Sequence, residues 1–253
     1  MPQSSCGSLR NGTRWTEVQP GVIHIDLPWT NVWALYCGPD IFLIDTGTRW
    51  DRTTTLQALK SAIPGMFHIS SVLLTHGHCD HAGNAAYFCE SFGAKLIAGK
   101  AEEPFIATRK TYVPKGVAAI GPKGAVFTLC EVAFPVKRRA VDVCVSDRDC
   151  ISSPIGTLRV VDTPGHTPGH VAYYLEERGV LFSGDALLTV IPFRRVGGLS
   201  IAPLIFSTNC RRARESVRRL AELEPAAVFA GHGWPWTNKT AVSVREYAES
   251  LPP

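Results

Sequence analysis

No stretch of this 253-residue chain is apolar for long enough to cross a bilayer, so no membrane partner is expected. Residues 1–14 lack the charged-then-apolar order of a secretion signal and read as a loose, flexible N-terminal arm ahead of a single domain over 15–253. No Gly-x-Ser-x-Gly elbow occurs, which leaves a serine nucleophile on a strand-to-helix turn without support. A helical HExxH metal site is absent as well, and so are internal repeats, low-complexity blocks and linkers. Net charge is only +4. The arginines at 211, 212, 214, 218 and 219 fall on an expected helix, Asn209 to Leu223, whose Ala213, Val217, Leu220 and Ala221 form the buried stripe. They read as a solvated face, and with no recognised nucleic-acid module no nucleic-acid partner is expected. The eight cysteines are scattered through a chain too large to need staples, which favours free thiols and a cytoplasmic setting.

Against these absences stands one dense segment, Thr75-His76-Gly77-His78-Cys79-Asp80-His81, directly after the apolar run Val72 to Leu74. In a tightly turning segment, side chains two apart leave on the same side, so His76 and His78 can converge on one ion while Asp80 and His81 face a second. Further potential ligands follow other expected strands: His166 after Leu158 to Val161, Asp185 after Val180 to Phe182, and His232 after Ala227 to Ala230. Short strands are also expected at Val22 to Leu27, Val32 to Tyr36, Ile41 to Ile44 and Lys95 to Ala98, with helices at Asp51 to Ile63, Ala82 to Phe92 and Lys239 to Leu251.

His76-x-His78-x-Asp80-His81, followed in order by His166, Asp185 and His232, resembles the metallo-β-lactamase fold superfamily of binuclear metallohydrolases. The resemblance runs from the strand pair before Asp45 to His232. It implies an α/β fold, a four-layered αβ/βα sandwich that buries both sheet faces. Carried over residue by residue, it implies one metal on His76, His78 and His166, a second on Asp80, His81 and His232, and Asp185 bridging them. Leu43-Ile44-Asp45-Thr46-Gly47 matches the family motif whose aspartate supports the histidine loop, and Gly169-His170 matches another family motif, which leaves His170 with either a structural hydrogen bond beside the site or a part in catalysis.

Two divalent cations, zinc first among them with iron or manganese as alternatives, could share a water and hold the resulting hydroxide as nucleophile, with Asp80 orienting it. A small carboxylic ester, lactone or thioester is the leading substrate class. The aspartate at 185 replaces the cysteine of the best-known zinc β-lactamases, and no tyrosine follows it as in the lactonase branch. Only Gly233 to Pro253 follow His232, so the helical C-terminal domain of glyoxalase II, and with it glutathione thioester specificity, is not expected. The alternatives are a persulfide-dioxygenase-like iron enzyme, a phosphodiesterase or β-lactamase, and a non-catalytic metal-binding module. Two intervals are available for substrate contact. One is Phe105 to Arg139; the other is the apolar stretch from Leu187 to Phe206, with Leu187, Ile191, Phe193, Arg194 and Arg195 placed to line the mouth.

Overall fold

The computed structural model describes residues 6–8, 14–108, 133, 136–191, 196–203 and 206–253. Among these residues, strands β1 (Cys6–Ser8), β2 (Arg14–Gln19), β3 (Val22–Asp26), β4 (Asn31–Cys37), β5 (Asp40–Ile44), β6 (His68–Leu74), β7 (Lys95–Gly99) and β8 (Val143–Val145) lie side by side in that order in one sheet. The strands β1 to β5 meander antiparallel, and β5 to β8 run parallel. A second sheet has the order β15-β12-β11-β10-β9, built from β9 (Cys150–Ser153), β10 (Gly156–Asp162), β11 (Val171–Leu175), β12 (Val180–Gly184) and β15 (Ala227–Ala230). A separate hairpin joins β13 (Leu188–Ile191) to β14 (Val196–Ser200).

The strand period of two sorts the side chains into layers. In β4, Val32 and Ala34 point to one apolar cluster, while Trp33 and Leu35 point to another. The first cluster lies under helices α1 (Arg52–Ala62) and α3 (Ala85–Phe92), which contribute Leu59 and Phe88. The second lies between the sheets, where Trp33 stacks on Phe229 at a centroid distance of 4.6 Å. Likewise Val180 and Phe182 of β12 face this middle layer, and Leu181 faces a third cluster with Val217 and Leu220 of α5 (Cys210–Ala221) and Val244 of α6 (Thr240–Ser250). The chain is therefore the αβ/βα sandwich that the sequence leads one to expect, with three apolar interfaces between four layers.

Local structure departs from expectation in four places. The helix expected over Ala82 to Phe92 is two, α2 (Cys79–Ala82) and α3, because Asn84 Nδ2 donates to the carbonyls of Thr46 and Thr48 and Gly83 N donates to Gly47 O. Within the segment expected to be a loose arm, Cys6–Ser8 pairs with β2, laying Gly7 across the indole of Trp15. A short helix, α4 (Glu103–Ala107), follows β7. The arginines of α5 are engaged rather than merely solvated: Arg214 and Arg218 donate to the carbonyls of Pro253, Leu251 and Pro252, and Arg219 pairs with Asp147. None of the described cysteines forms a disulfide, and no helix among the described residues is long and apolar enough to cross a membrane.

This arrangement brings the carboxyl ends of β5, β6, β7, β10, β12 and β15 to one edge of the sandwich. The sheets meet there through Val171 N donating to Thr75 O (3.0 Å), Tyr173 OH to Leu74 O (2.8 Å) and Asn31 N to Gly231 O (2.8 Å).

Candidate metal centre

The turn after β6 carries His76, His78, Asp80 and His81, and the opposite sheet delivers His166 after β10, Asp185 after β12 and His232 after β15. All seven converge. His76 Nε2, His78 Nδ1 and His166 Nε2 form a triangle with sides of 3.0, 3.0 and 3.2 Å. A second group joins Asp80 Oδ2 to His232 Nε2 (3.5 Å) and to His81 Nε2 (3.8 Å), with the two imidazole nitrogens 3.4 Å apart. The Asp185 carboxylate lies between the groups, with Oδ2 3.5 Å from His166 Nε2 and 3.2 Å from His232 Nε2, and Oδ1 3.5 Å from His81 Nε2.

Neighbouring groups determine which ring nitrogen faces inward. Thr75 donates to Asp45 through both its backbone N–H (2.9 Å, to Oδ1) and its hydroxyl (2.8 Å, to Oδ2). With its proton used there, the hydroxyl accepts from His76 Nδ1–H at 3.0 Å, and His76 Nε2 is left as a lone pair. His81 Nδ1–H donates to Asp45 Oδ2 at 2.8 Å. Asp45 thus supports two ligand-bearing residues from a backbone held at φ 59°, an uncommon position for a non-glycine residue. On the other side, the backbone N–H of Asp185 donates to His170 Nε2 (3.0 Å), so His170 carries its proton on Nδ1, which donates to Thr163 Oγ1 (2.7 Å). His170 therefore holds Asp185 in place and does not enter either triangle.

Electrostatics divides the site. Burial, reinforced by the neighbouring imidazoles, holds His76 and His166 well below the usual histidine range, and burial brings His170 down to about 3. At His81 burial opposes charging, but Asp80, Asp185 and Asp45 outweigh it and push the imidazole up to about 10. His232 is raised by Asp185 and Asp80 against the same burial. Asp185 is held well below the carboxylate range, the pull of His232, His81 and His166 overcoming its desolvation.

These residues fit a pair of cations. Three nitrogens spaced as His76, His78 and His166 are cannot all satisfy one another by hydrogen bonds, yet all can lie roughly 2.0–2.1 Å from one Zn-like ion. Asp185 Oδ1 is buried and accepts no hydrogen bond, as a lone pair reserved for an ion would be. Backbone is cleared for the group: a Cβ on Gly231 would strike Asp185 Oδ1 and His81. Gly184 combines φ +51° with the same constraint, since a Cβ there would lie 2.7 Å from His170 Nε2.

The matching family model, that of the metallo-β-lactamase superfamily, spans residues 30–232, from the turn before β4 to the last histidine. The chain belongs to that superfamily. It is 29% identical over 253 residues to a Bacillus subtilis protein called probable metallo-hydrolase YflN, a match covering 94% of this chain and 93% of the relative. It is 27% identical over 171 residues to an Aspergillus fumigatus protein named atrochrysone carboxyl ACP thioesterase, covering 65% of this chain and 42% of that one. Among solved structures, metallo-β-lactamase family protein TTHA1429 from Thermus thermophilus superposes with a TM-score of 0.62 at 26% identity, covering 92% of this chain and 78% of that one. Membership and the His/Asp clusters together support a metal-dependent hydrolase that uses divalent metal.

Two residues that fix the turns bearing these histidines carry no local sequence signal. Glu102, fully buried, accepts from Gly77 N, Thr167 Oγ1 and Gly169 N; burial raises it to about 7 while those hydrogen bonds hold it back. Asn31 Nδ2 donates to Ala230 O (3.0 Å) and Gly233 O (2.7 Å), bracketing His232, and His24 Nε2 lies 2.8 Å from Asn31 Oδ1.

The expected substrate wall is rearranged. Leu187 is 0% exposed in the third apolar cluster, because the chain turns inward after Asp185 to cover the second sheet, so it offers no surface to a substrate. Ile191 is half-buried at the end of β13. Tyr112, Pro114, Gly121 to Gly124, Phe193, Arg194 and Arg195 lie outside the described residues. Two exposed tryptophans neighbour residues of the site in the chain. Trp29 (65% exposed) sits in the β3–β4 turn beside Thr30, whose hydroxyl donates to Gly231 O, and Trp234 (48%) follows His232 by two residues.

Proposed function

We propose that this chain hydrolyses a small carboxylic ester, lactone or thioester, with His76, His78 and His166 holding one divalent cation, Asp80, His81 and His232 a second, and Asp185 joining them. The observation that carries this reading is the Asp185 carboxylate lying 3.2–3.5 Å from nitrogens of both groups. A pair of cations supplies, when bound, Lewis-acid polarisation of the scissile carbonyl and a nucleophile drawn from water at neutral pH. Histidine and carboxylate donors suit zinc, which is the ion proposed here.

The protein's own groups do the rest. The Asp45 carboxylate fixes His81, and the Asp45–Thr75 pair fixes His76, each with an inward lone pair when neutral. His170 anchors the backbone of Asp185. Asp80, with a side chain 27% exposed, stands on the solvent side, where its carboxylate can accept a hydrogen bond from the O–H of the nucleophile and turn it toward the acyl carbon. The exposed Trp29 and Trp234 offer an apolar surface suited to the hydrocarbon part of an acyl substrate, and the relative named as a thioesterase favours the acyl class.

The test is a zinc-replete screen of lactones, aryl esters, acyl thioesters, β-lactams and phosphodiesters, run beside Asp185→Asn. Acyl turnover abolished by that substitution is the expected result. Turnover of phosphodiesters alone would reject the reading, and persulfide-dependent oxygen uptake would replace it with an iron oxygenase.

A further inference from the structure

Glu102 lies at the end of the turn that leaves β7, its backbone fixed on both sides. Its N–H donates to Gly99 O (2.8 Å), and its carbonyl accepts from Phe105 N (3.0 Å) and Ile106 N (3.3 Å) at the start of α4, whose Ile106 is buried in the first apolar cluster. The carboxylate is thereby held on a rigid base. Oε1 accepts from Gly77 N at 2.8 Å, and Gly77 sits between His76 and His78. Oε2 accepts from Thr167 Oγ1 and Gly169 N, both at 3.0 Å, in the turn that begins with His166 and ends with His170. The turns also press together: a Cβ on Gly169 would strike the backbone of Ala101 and Glu102, and one on Gly99 would meet Gly169 O at 2.5 Å. One side chain thus spans the two sheets where the three-imidazole group could slip apart, because His76 and His78 ride on one sheet and His166 on the other.

We propose that Glu102 is a positioning residue for the first metal: its carboxylate clamps the His76–His78 turn to the His166 turn and fixes the spacing of their three inward nitrogens. The inference rests on the ligand assignment proposed above. All three contacts are made by donors, so the clamp needs an acceptor at both ends. A glutamine of the same size supplies one acceptor only. Turned either way, its NH₂ would face the N–H of Gly77 or of Gly169.

The experiment measures zinc affinity of the purified full chain by competition with a chromophoric chelator, together with melting of the metal-free protein, for wild type, Glu102→Gln and Leu220→Ala. Leu220 lies in the third apolar cluster, outside the three contacts of the Glu102 carboxylate, and its truncation provides a loss of stability that leaves the clamp itself in place. In Glu102→Gln the first equivalent of zinc should bind about 10- to 100-fold more weakly, the range for loss of a group that orients a ligand. Leu220→Ala should melt lower yet bind zinc as wild type does. If Glu102→Gln does not fold, Thr167→Val removes one of the three bonds and should weaken the first equivalent by about 2- to 10-fold. Wild-type affinity in Glu102→Gln, an equal loss in Leu220→Ala, or, where Thr167→Val replaces it, unchanged affinity there would overturn the clamp. A wild-type chain that binds no zinc would instead remove the ligand assignment itself, and the clamp with it.

Discussion

The two halves of the site are built differently. His76, His78 and His166 are buried, His76 and His166 are held neutral, and their turns are tied together by Glu102. Asp80 and His232 leave about a quarter of their side chains exposed, and the imidazoles are pushed toward the charged form, His81 by Asp80, Asp185 and Asp45 and His232 by Asp185 and Asp80. The first half offers a closed set of lone pairs ready for a cation. In the second, the nearby aspartates favour the charged form of His81 and His232, and it opens to solvent. On the two-cation reading proposed above, the first half is the place for tight binding and the second for reactivity, with Asp185 coupling them.

The strongest way to break this division is Asp185→Asn, which removes the shared group. Turnover should fall by at least about 100-fold, more than for a residue that only orients a ligand, while the melting temperature of the metal-free protein shifts comparatively little. Equal losses of activity and stability would make Asp185 a packing residue. Gly231→Ala comes next. Its new methyl would collide with Asp185 Oδ1 and His81, so both halves should lose zinc together although neither has lost a ligand; unchanged zinc content, measured by mass spectrometry, would contradict the packing described.

Asp80→Ala sharpens the comparison, since it touches one half alone. It should weaken the second equivalent of zinc and leave the first unchanged, and excess zinc should not restore full turnover, because the carboxylate also orients the nucleophile. Complete rescue by zinc would reduce Asp80 to a matter of occupancy. The smallest effect on the site is expected from Leu220→Ala, which should cost about 2–5 kcal/mol of stability in chemical denaturation and leave both affinities alone.

The same contrast governs what could be read from the sequence. The seven converging residues were legible because each sits at the end of a short apolar strand and four of them share one heptapeptide. Asp45 and His170 were legible through their motifs. Glu102 and Asn31 were not, since their partners lie far along the chain, Asn31 bonding across about two hundred residues to Ala230 and Gly233. The four layers were legible through the family resemblance, and the structure accounts for them by alternation within strands such as Val32 to Leu35. The break at Gly83–Asn84 did not, because contacts with Thr46 and Thr48 override the helical pattern there. Leu187 was misplaced for a related reason: an apolar residue beside a site reads alike whether it faces a substrate or the core.

Titration of the metal-free chain with zinc, followed by chelator competition, tests the two-cation assignment most directly. Two equivalents should bind per chain in separate steps, the second weaker, and Asp80→Ala should lose that second step alone. A single step in the wild-type chain, or none, would contradict the assignment of two groups joined by Asp185.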